Sequence, residues 1–200
     1  MTPCDGGDRC RNCAGKWEGS GNCPRCFAWD ALDGAIAAFD MEGAARRVVH
    51  GLKYRYIEAL AATMAHAVAR LPTAGSFDIA YPVPLHRARE RGRGFNQAAL
   101  ILAGLGWNPG PGSLERIRRT GTQVGLRPAE RRANVSGAFR YAGPPLDGLR
   151  AVLVDDVVTT GATANEGARV LKDYGARSVR IAVFARANYD HSPGAAIPDW

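Results

Sequence analysis

The sequence predicts an α/β fold: a parallel sheet with flanking helices, preceded by a small cysteine-rich segment. Three observations carry this. Residues 149–187 read as apolar strand, turn, helix and apolar strand, a βαβ unit whose two strands must be parallel. Residues 42–71 carry Val48, Val49, Leu52, Leu60, Met64, Ala67 and Leu71 at helical spacing. All five cysteines lie within the first 26 residues, ahead of any such pattern. The expected organisation is a cysteine segment over 1–30, the α/β domain over 31–187 and a tail over 188–200.

Taken in order, the stretch leading out of the cysteine segment, Asp30 to Asp40, has apolar residues at Leu32, Ile36 and Phe39. The helical run from about Glu42 to Leu71 follows, interrupted around Lys53-Tyr54-Arg55-Tyr56 and broken by Pro72 and Gly75. Asp78–Val83 is a short apolar strand stopped by Pro84. Phe95–Leu105 suits a helix, and Gly106–Gly112 a loop. Ala151–Val154 is a continuous apolar run, as a strand covered on both faces requires, and is expected to end at Asp155 and Asp156. Thr159–Thr163 opens a helix lasting to Tyr174, with Gly175 as its stop. Ser178–Phe184 is the closing strand.

Composition limits the function classes. With 200 residues, 46% of them hydrophobic and 22% charged, the chain suits one globular domain with an appendage and excludes wholesale disorder. No apolar run reaches the length of a membrane span, and the first thirty residues lack the apolar core of a secretory signal, so a cytoplasmic protein without a membrane partner is expected. Net charge is +7, and 23 of the 26 basic residues are arginine. Residues 81–140 alone carry +8, with eleven arginines against three acids, while the remainder sums to −1. Arginine forks grip phosphate through paired N–H donors, so this span points to a polyanion, or else is an arginine-rich solvated face.

Cys10-x2-Cys13 and Cys23-x2-Cys26 are two knuckles nine residues apart. Each sets two thiolates on one tight turn, and two such turns complete a tetrahedral Zn2+ site. So short a segment buries no core of its own, and the metal supplies its folding energy. Disulfides disagree with a reducing compartment, and neither knuckle has the flanking βαβ pattern of a redox motif. Cys4 is left over.

The run Val152-Leu-Val-Asp-Asp-Val-Val-Thr-Thr-Gly-Ala-Thr163 carries the chemistry. Ligands of open α/β sheets sit at the carboxyl ends of strands. Two carboxylates placed there want cations or hydroxyl donors. The small, hydroxyl-rich turn that follows offers free N–H groups at a helix start, an anion cradle. Simple helix capping needs one oxygen and not this whole run. The four arginines Arg87, Arg89, Arg91 and Arg93 alternate after a strand end, and Arg116, Arg118 and Arg119 open a polar loop extending to about Asn134, able to close over a diphosphate. These arginines suit pyrophosphate and nucleic-acid backbone equally. Lys53 and Tyr54 suit either substrate contact or a solvated helix face. No residue presents itself as nucleophile or general base, and the four histidines have no ligand spacing.

Ala151–Thr163 resembles the phosphoribosyl pyrophosphate (PRPP) signature of type I phosphoribosyltransferases, thirteen residues without a gap. The resemblance implies that Asp155 and Asp156 hold the ribose hydroxyls, that Val157 belongs to the same binding run, that Thr159, Thr160, Gly161, Ala162 and Thr163 wrap the 5′-phosphate, and that Mg2+ accompanies the pyrophosphate. Tyr81-Pro-Val-Pro-Leu85, Arg93-Gly-Phe-Asn-Gln97, the run Arg116–Gln123 continuing through Leu126, Arg131, Asn134 and Gly137-Ala-Phe139, the Gly51-Leu-Lys-Tyr54 element and the double C-x2-C resemble the ComF competence branch of that superfamily, over residues 10–186. Two readings are therefore carried forward: a Mg2+-dependent enzyme moving phosphoribose to a nitrogenous acceptor, and a competence protein that keeps the PRPP cradle and binds single-stranded DNA or a helicase partner. A pure zinc-finger DNA binder would leave Asp155–Thr163 unexplained.

Overall fold

A computed structural model describes residues 9–19, 23–24, 26–71, 76–119 and 133–188. Cys4, the greater part of the loop expected between Arg116 and Asn134, and the tail beyond Asn188 lie outside the described residues. The elements run β1 (Ala35–Asp40), α1 (Gly43–Tyr54), α2 (Leu60–Ala69), β2 (Ile79–Pro82), α3 (Arg87–Arg93), α4 (Gln97–Leu105), β3 (Ser113–Arg116), β4 (Phe139–Ala142), β5 (Arg150–Val158), α5 (Ala162–Asp173) and β6 (Ser178–Arg186). Four strands form a parallel sheet in the order β1-β6-β5-β2, and β3 pairs with β4 in a separate antiparallel ribbon. The α/β class with flanking helices is thus as expected.

Alternation along the two central strands fills both faces. Ala151 and Leu153 of β5, with Val179, Ile181 and Val183 of β6, pack under α5 and the β3–β4 ribbon. Val152 and Val154, with Ala182 and Phe184, pack under α1, α2 and α4. Burial on both sides is why residues 151–154 and 181–185 form unbroken apolar runs. Edge strands β1 and β2 are short, and β2 is partly covered, since Ala80 N–H donates to the Asn108 carbonyl and Gly110 N–H donates to the Ala80 carbonyl.

Two expectations are refined and one changes. The helical run over 42–71 is two helices, because Tyr56 takes a left-handed backbone (φ 55°) between them, as the Lys53–Tyr56 stretch suggested. Asp155 and Asp156 do not end β5; the strand runs through both to Val158, with Lys53 and Gln97 delivered to Asp156 on one face. The helix after them opens at Ala162, inside the expected Thr159–Thr163 start, and Thr159–Gly161 form the turn before it. There Gly161 is the N-cap at φ 79°, a conformation that suits glycine. The β3–β4 ribbon had no counterpart in the sequence reading.

The cysteine segment is bound to the end of the sheet. Arg9 forms a paired bond with the fully buried Asp40 at the end of β1, at 2.9 and 2.5 Å. Burial alone would raise the Asp40 pKa, but Arg9 holds it below the ordinary carboxylate value. Among the described residues no helix is long and apolar enough to cross a membrane.

Candidate functional site

Strand parity decides what the two carboxylates meet. Asp156 shares the face of Val152 and Val154, toward α1 and α4, and is 1% exposed. There Lys53 Nζ of α1 lies 2.8 Å from its Oδ2, and Gln97 Nε2 of α4 donates to its Oδ1 at 3.4 Å. Arg93 in turn donates to Gln97 Oε1 at 2.6 Å, making a chain Arg93–Gln97–Asp156–Lys53. Asp155 looks the other way, and its Oδ1 accepts the backbone N–H of Asp156 at 2.8 Å.

The electrostatics follow from this division. Burial would raise the Asp156 pKa, but the Lys53 ammonium outweighs it and holds Asp156 below the ordinary carboxylate value. Lys53 is correspondingly raised; its burial opposes the charge, and Asp156 and then Asp155 overcome it. Asp155 is pushed well above the ordinary value, first by burial and then by the negative Asp156 beside it. One carboxylate is therefore firmly ionised and its neighbour readily protonated.

Around this pair lies a cavity of about 370 Å3 at the carboxyl ends of β2 and β5. Its cationic wall is Lys53, Arg89, Arg93 and Arg116. In a helix, residues four apart share a face, so the alternating arginines of α3 split into two pairs. Arg89 and Arg93 line the cavity, whereas Arg87 and Arg91 are exposed on the opposite side. Arg116, at the end of β3, sits 5.4 Å over the Phe139 ring. Burial, then repulsion from Arg89, lowers its pKa to about 10, against an opposing pull from Asp155. Two guanidiniums crowded in this way gain from an anion between them. Arg118 lies outside the cavity and donates to the carbonyls of Asn134 and Ser136 at 3.1 and 2.5 Å; Arg119 is exposed.

The floor of the cavity is the end of β5, the turn after it and the start of α5, where Val157, Thr159, Gly161, Ala162 and Thr163 all contribute. Thr160 Oγ1 accepts from Ala162 N–H at 3.3 Å, shaping the turn from inside. From outside, Trp29 Nε1 donates to the Thr160 carbonyl at 2.8 Å, and the buried Arg186 guanidinium donates to the carbonyls of Val158 (3.0 Å) and Thr159.

Behind that turn, Cys10, Cys13, Cys23 and Cys26 place their Sγ atoms within 4.8 Å of one another. The Cys10–Cys26 and Cys13–Cys23 pairs stand 3.7 and 3.8 Å apart. A tetrahedron of thiolates at the usual zinc–sulfur distance has edges of about 3.8 Å, which these two pairs match, so the donor set fits structural zinc. Burial pushes the Cys13 and Cys26 thiols up, a penalty that a metal ion removes by holding them as thiolates.

Lys53 is thus a cavity residue and not part of a solvated face. Sequence reasoning missed Gln97, Trp29 and Arg186. Arg186 left a signal, as a charge closing the apolar run over 181–185, and Gln97 stood in the Arg93–Gln97 motif without a role. Trp29 and Gln97 act through contacts between distant segments.

A parallel sheet carrying an acid pair and a small hydroxyl turn at a strand end, within an arginine-lined cavity, defines a phosphoribosyltransferase-like protein. Comparison with known proteins agrees. The family description "Phosphoribosyl transferase domain" matches residues 118–196. The DNA utilization protein YhgH of Salmonella typhi is 33% identical over 176 residues, covering 80% of this chain and 75% of that protein. Competence protein F of Haemophilus influenzae is 38% identical over 112 residues, 53% of this chain, which spans about half (49%) of that relative's length. A phosphoribosylpyrophosphate synthetase structure from Mycobacterium smegmatis matches 76% of this chain and 41% of that one at TM-score 0.32 and 16% identity, too distant to bear on function. The chain belongs to the ComF family of phosphoribosyltransferase-like proteins.

Proposed function

We propose that this chain binds PRPP with Mg2+ in the β5–α5 cavity and serves natural competence by handling incoming single-stranded DNA, directly or with a helicase partner. The observation that carries the ligand is the joining, within one cavity, of an acid pair, a hydroxyl-rich turn at a helix start and a wall of arginines. Asp155 and Asp156 would accept from the ribose hydroxyls, residues 159–163 would receive the 5′-phosphate, and Arg89, Arg93 and Arg116 would take the pyrophosphate. Mg2+ would neutralise the pyrophosphate charge next to the carboxylates. The competence role draws support from the relatives named for competence and for DNA utilization. The exposed Arg87, Arg91 and Arg119, together with Arg118, suit a nucleic-acid backbone better than a small ligand. Reduced thiols at metal-ligand spacing suit the cytoplasm.

The second reading, a salvage-type phosphoribosyltransferase acting on a nitrogenous acceptor without a DNA role, is favoured by the cavity's small-molecule size. Such a transfer needs positioning and charge stabilisation more than a nucleophile.

Calorimetry with PRPP and Mg2+ tests the ligand. Anisotropy with labelled single-stranded DNA tests the partner, each phosphate contact contributing about −0.7 to the log–log salt slope. Replacing Arg118 and Arg119 by Ala is expected to reduce that slope by about one to two units and leave PRPP affinity intact. Absence of DNA binding at low salt, with pyrophosphate released from PRPP on addition of an acceptor base, establishes the second reading instead.

A further inference from the structure

The four-cysteine module and the phosphate cradle share a wall. Trp29, three residues after the last ligand-spaced cysteine, donates its indole N–H to the Thr160 carbonyl at 2.8 Å. Its ring lies so close to Gly161 that a β-carbon there would meet it at 2.4 Å. Arg186, fully buried at the end of β6, donates from Nε to the Cys13 carbonyl at 3.0 Å, while Nη1 donates to the carbonyls of Val158 and Thr159. A single guanidinium therefore bonds a cysteine knuckle on one side and the start of the cradle on the other. A third tie flanks these two: Asn165 of α5 accepts from the N–H groups of Ala31 and Leu32 at 3.1 and 3.0 Å and donates to Asp30 at 2.6 Å. Together they grip the cradle turn on its outer side, away from the cavity.

We propose that Trp29 and Arg186 are positioning residues which hold the Thr159–Gly161 turn in its ligand-receiving shape, so that zinc occupancy of the four cysteines and anion affinity of the cradle are linked. This rests on the cavity's reading as a PRPP site. Gly161 sits at φ 79°, and the Thr159 and Thr160 carbonyls accept from Arg186 and Trp29, both of which lie outside the turn. Zinc fixes the Cys10–Cys13 knuckle and the segment carrying Trp29, and so fixes both donors. The linkage is reciprocal: whatever factor zinc adds to PRPP affinity, PRPP adds to zinc affinity.

The test uses the full zinc-loaded chain and Trp29→Phe, which keeps an aromatic ring against Gly161 and deletes the N–H. The variant is expected to retain one zinc per chain and to bind Mg2+·PRPP about three- to tenfold more weakly, the range one lost hydrogen bond corresponds to. In the wild type, competition with a chromogenic chelator should show zinc held more tightly when Mg2+·PRPP is present, by a factor that shrinks in the variant. A purely structural role predicts no such reciprocity. Equal PRPP affinity in both proteins, with zinc affinity indifferent to PRPP, overturns the inference. Amide hydrogen exchange of residues 158–163 supplies a ligand-free arm. Faster exchange in Trp29→Phe supports positioning, and unchanged exchange refutes it. A wild type that binds no PRPP refutes the reading of the cavity separately.

Discussion

Replacing Lys53 by Met tests how the acid pair is held. The substitution keeps the length and apolar stem of the side chain and removes only the ammonium, 2.8 Å from Asp156 Oδ2. Breaking a fully buried ion pair costs about 3–5 kcal/mol, because the surviving charge is left without compensation. Here the Lys53 side chain is 19% exposed and Gln97 still donates at 3.4 Å, so we expect about 2 kcal/mol at pH 8. For a chain of this size that lowers Tm by about 4–8 °C. The sign of the pH dependence is fixed by the direction of the shifts. In the wild type, Asp156 lies below its ordinary value, so its contribution is complete above that value and is lost only as pH falls through the depressed one. Lys53, raised when folded, contributes throughout the range below its ordinary value and does not change between pH 5 and 8. Without Lys53, burial and Asp155 raise Asp156, which then penalises folding above its unfolded pKa and ceases to as it gains a proton. The gap between variant and wild type is therefore widest at pH 8 and narrows toward pH 5. Urea denaturation at both pH values, with Asp156→Asn and the double variant completing a cycle, measures it. A cycle that adds without coupling, or a gap independent of pH, would refute this account of the pair.

Asp155→Asn should do the opposite. Its folded pKa is raised, so the wild-type residue penalises folding above the unfolded value, and thermal melts should show the variant stabilised by about 1 kcal/mol at pH 8 and unchanged at pH 4. A double Asp→Asn variant at both positions would hide this, since one substitution relieves a buried charge and the other strands Lys53. Gly161→Ala places a β-carbon at φ 79° against Trp29 and is expected to cost about 2–3 kcal/mol in denaturant melts and to weaken anion binding. Cys23→Ser should reduce metal content from one zinc per chain to none under reducing conditions, while circular dichroism shows the sheet and its helices retained; a full complement of zinc in that variant would disprove the four-thiolate site.

The parts of this molecule legible in its sequence are those where neighbours along the chain decide the outcome. The apolar runs of β5 and β6 and the helix between them are local patterns, and so are the paired knuckles whose sulfurs come together at tetrahedral spacing. The misread parts are those where a distant segment overrides the local signal. Asp155-Asp156 reads as a strand end because consecutive charges interrupt a sheet, yet β5 continues because α1 and α4 deliver Lys53 and Gln97 to one face. The arginines at 87, 89, 91 and 93 read as a single row because their spacing is two. Helical geometry turns that row into an inward pair and an outward pair, and only the fold says which is which. The β3–β4 ribbon joins residues about 25 apart along the chain, whose register no local signal sets.

The alternation of β5 that misled the reading also shapes the cavity's charge. With the two carboxylates placed on opposite faces, Asp156 has its charge balanced by Lys53, while Asp155 is the cavity carboxylate without a close cation. Three arginines then outnumber it. The resting cavity is accordingly cationic and selects for a ligand with several negative charges. Yet each negative charge brought near Asp155 disfavours its ionised form further, and an ionised Asp155 is the better acceptor for a sugar hydroxyl. On the PRPP reading, a divalent cation arriving with the anion would ease that conflict, so Mg2+ would answer the arrangement of this chain's own charges as well as the pyrophosphate it accompanies.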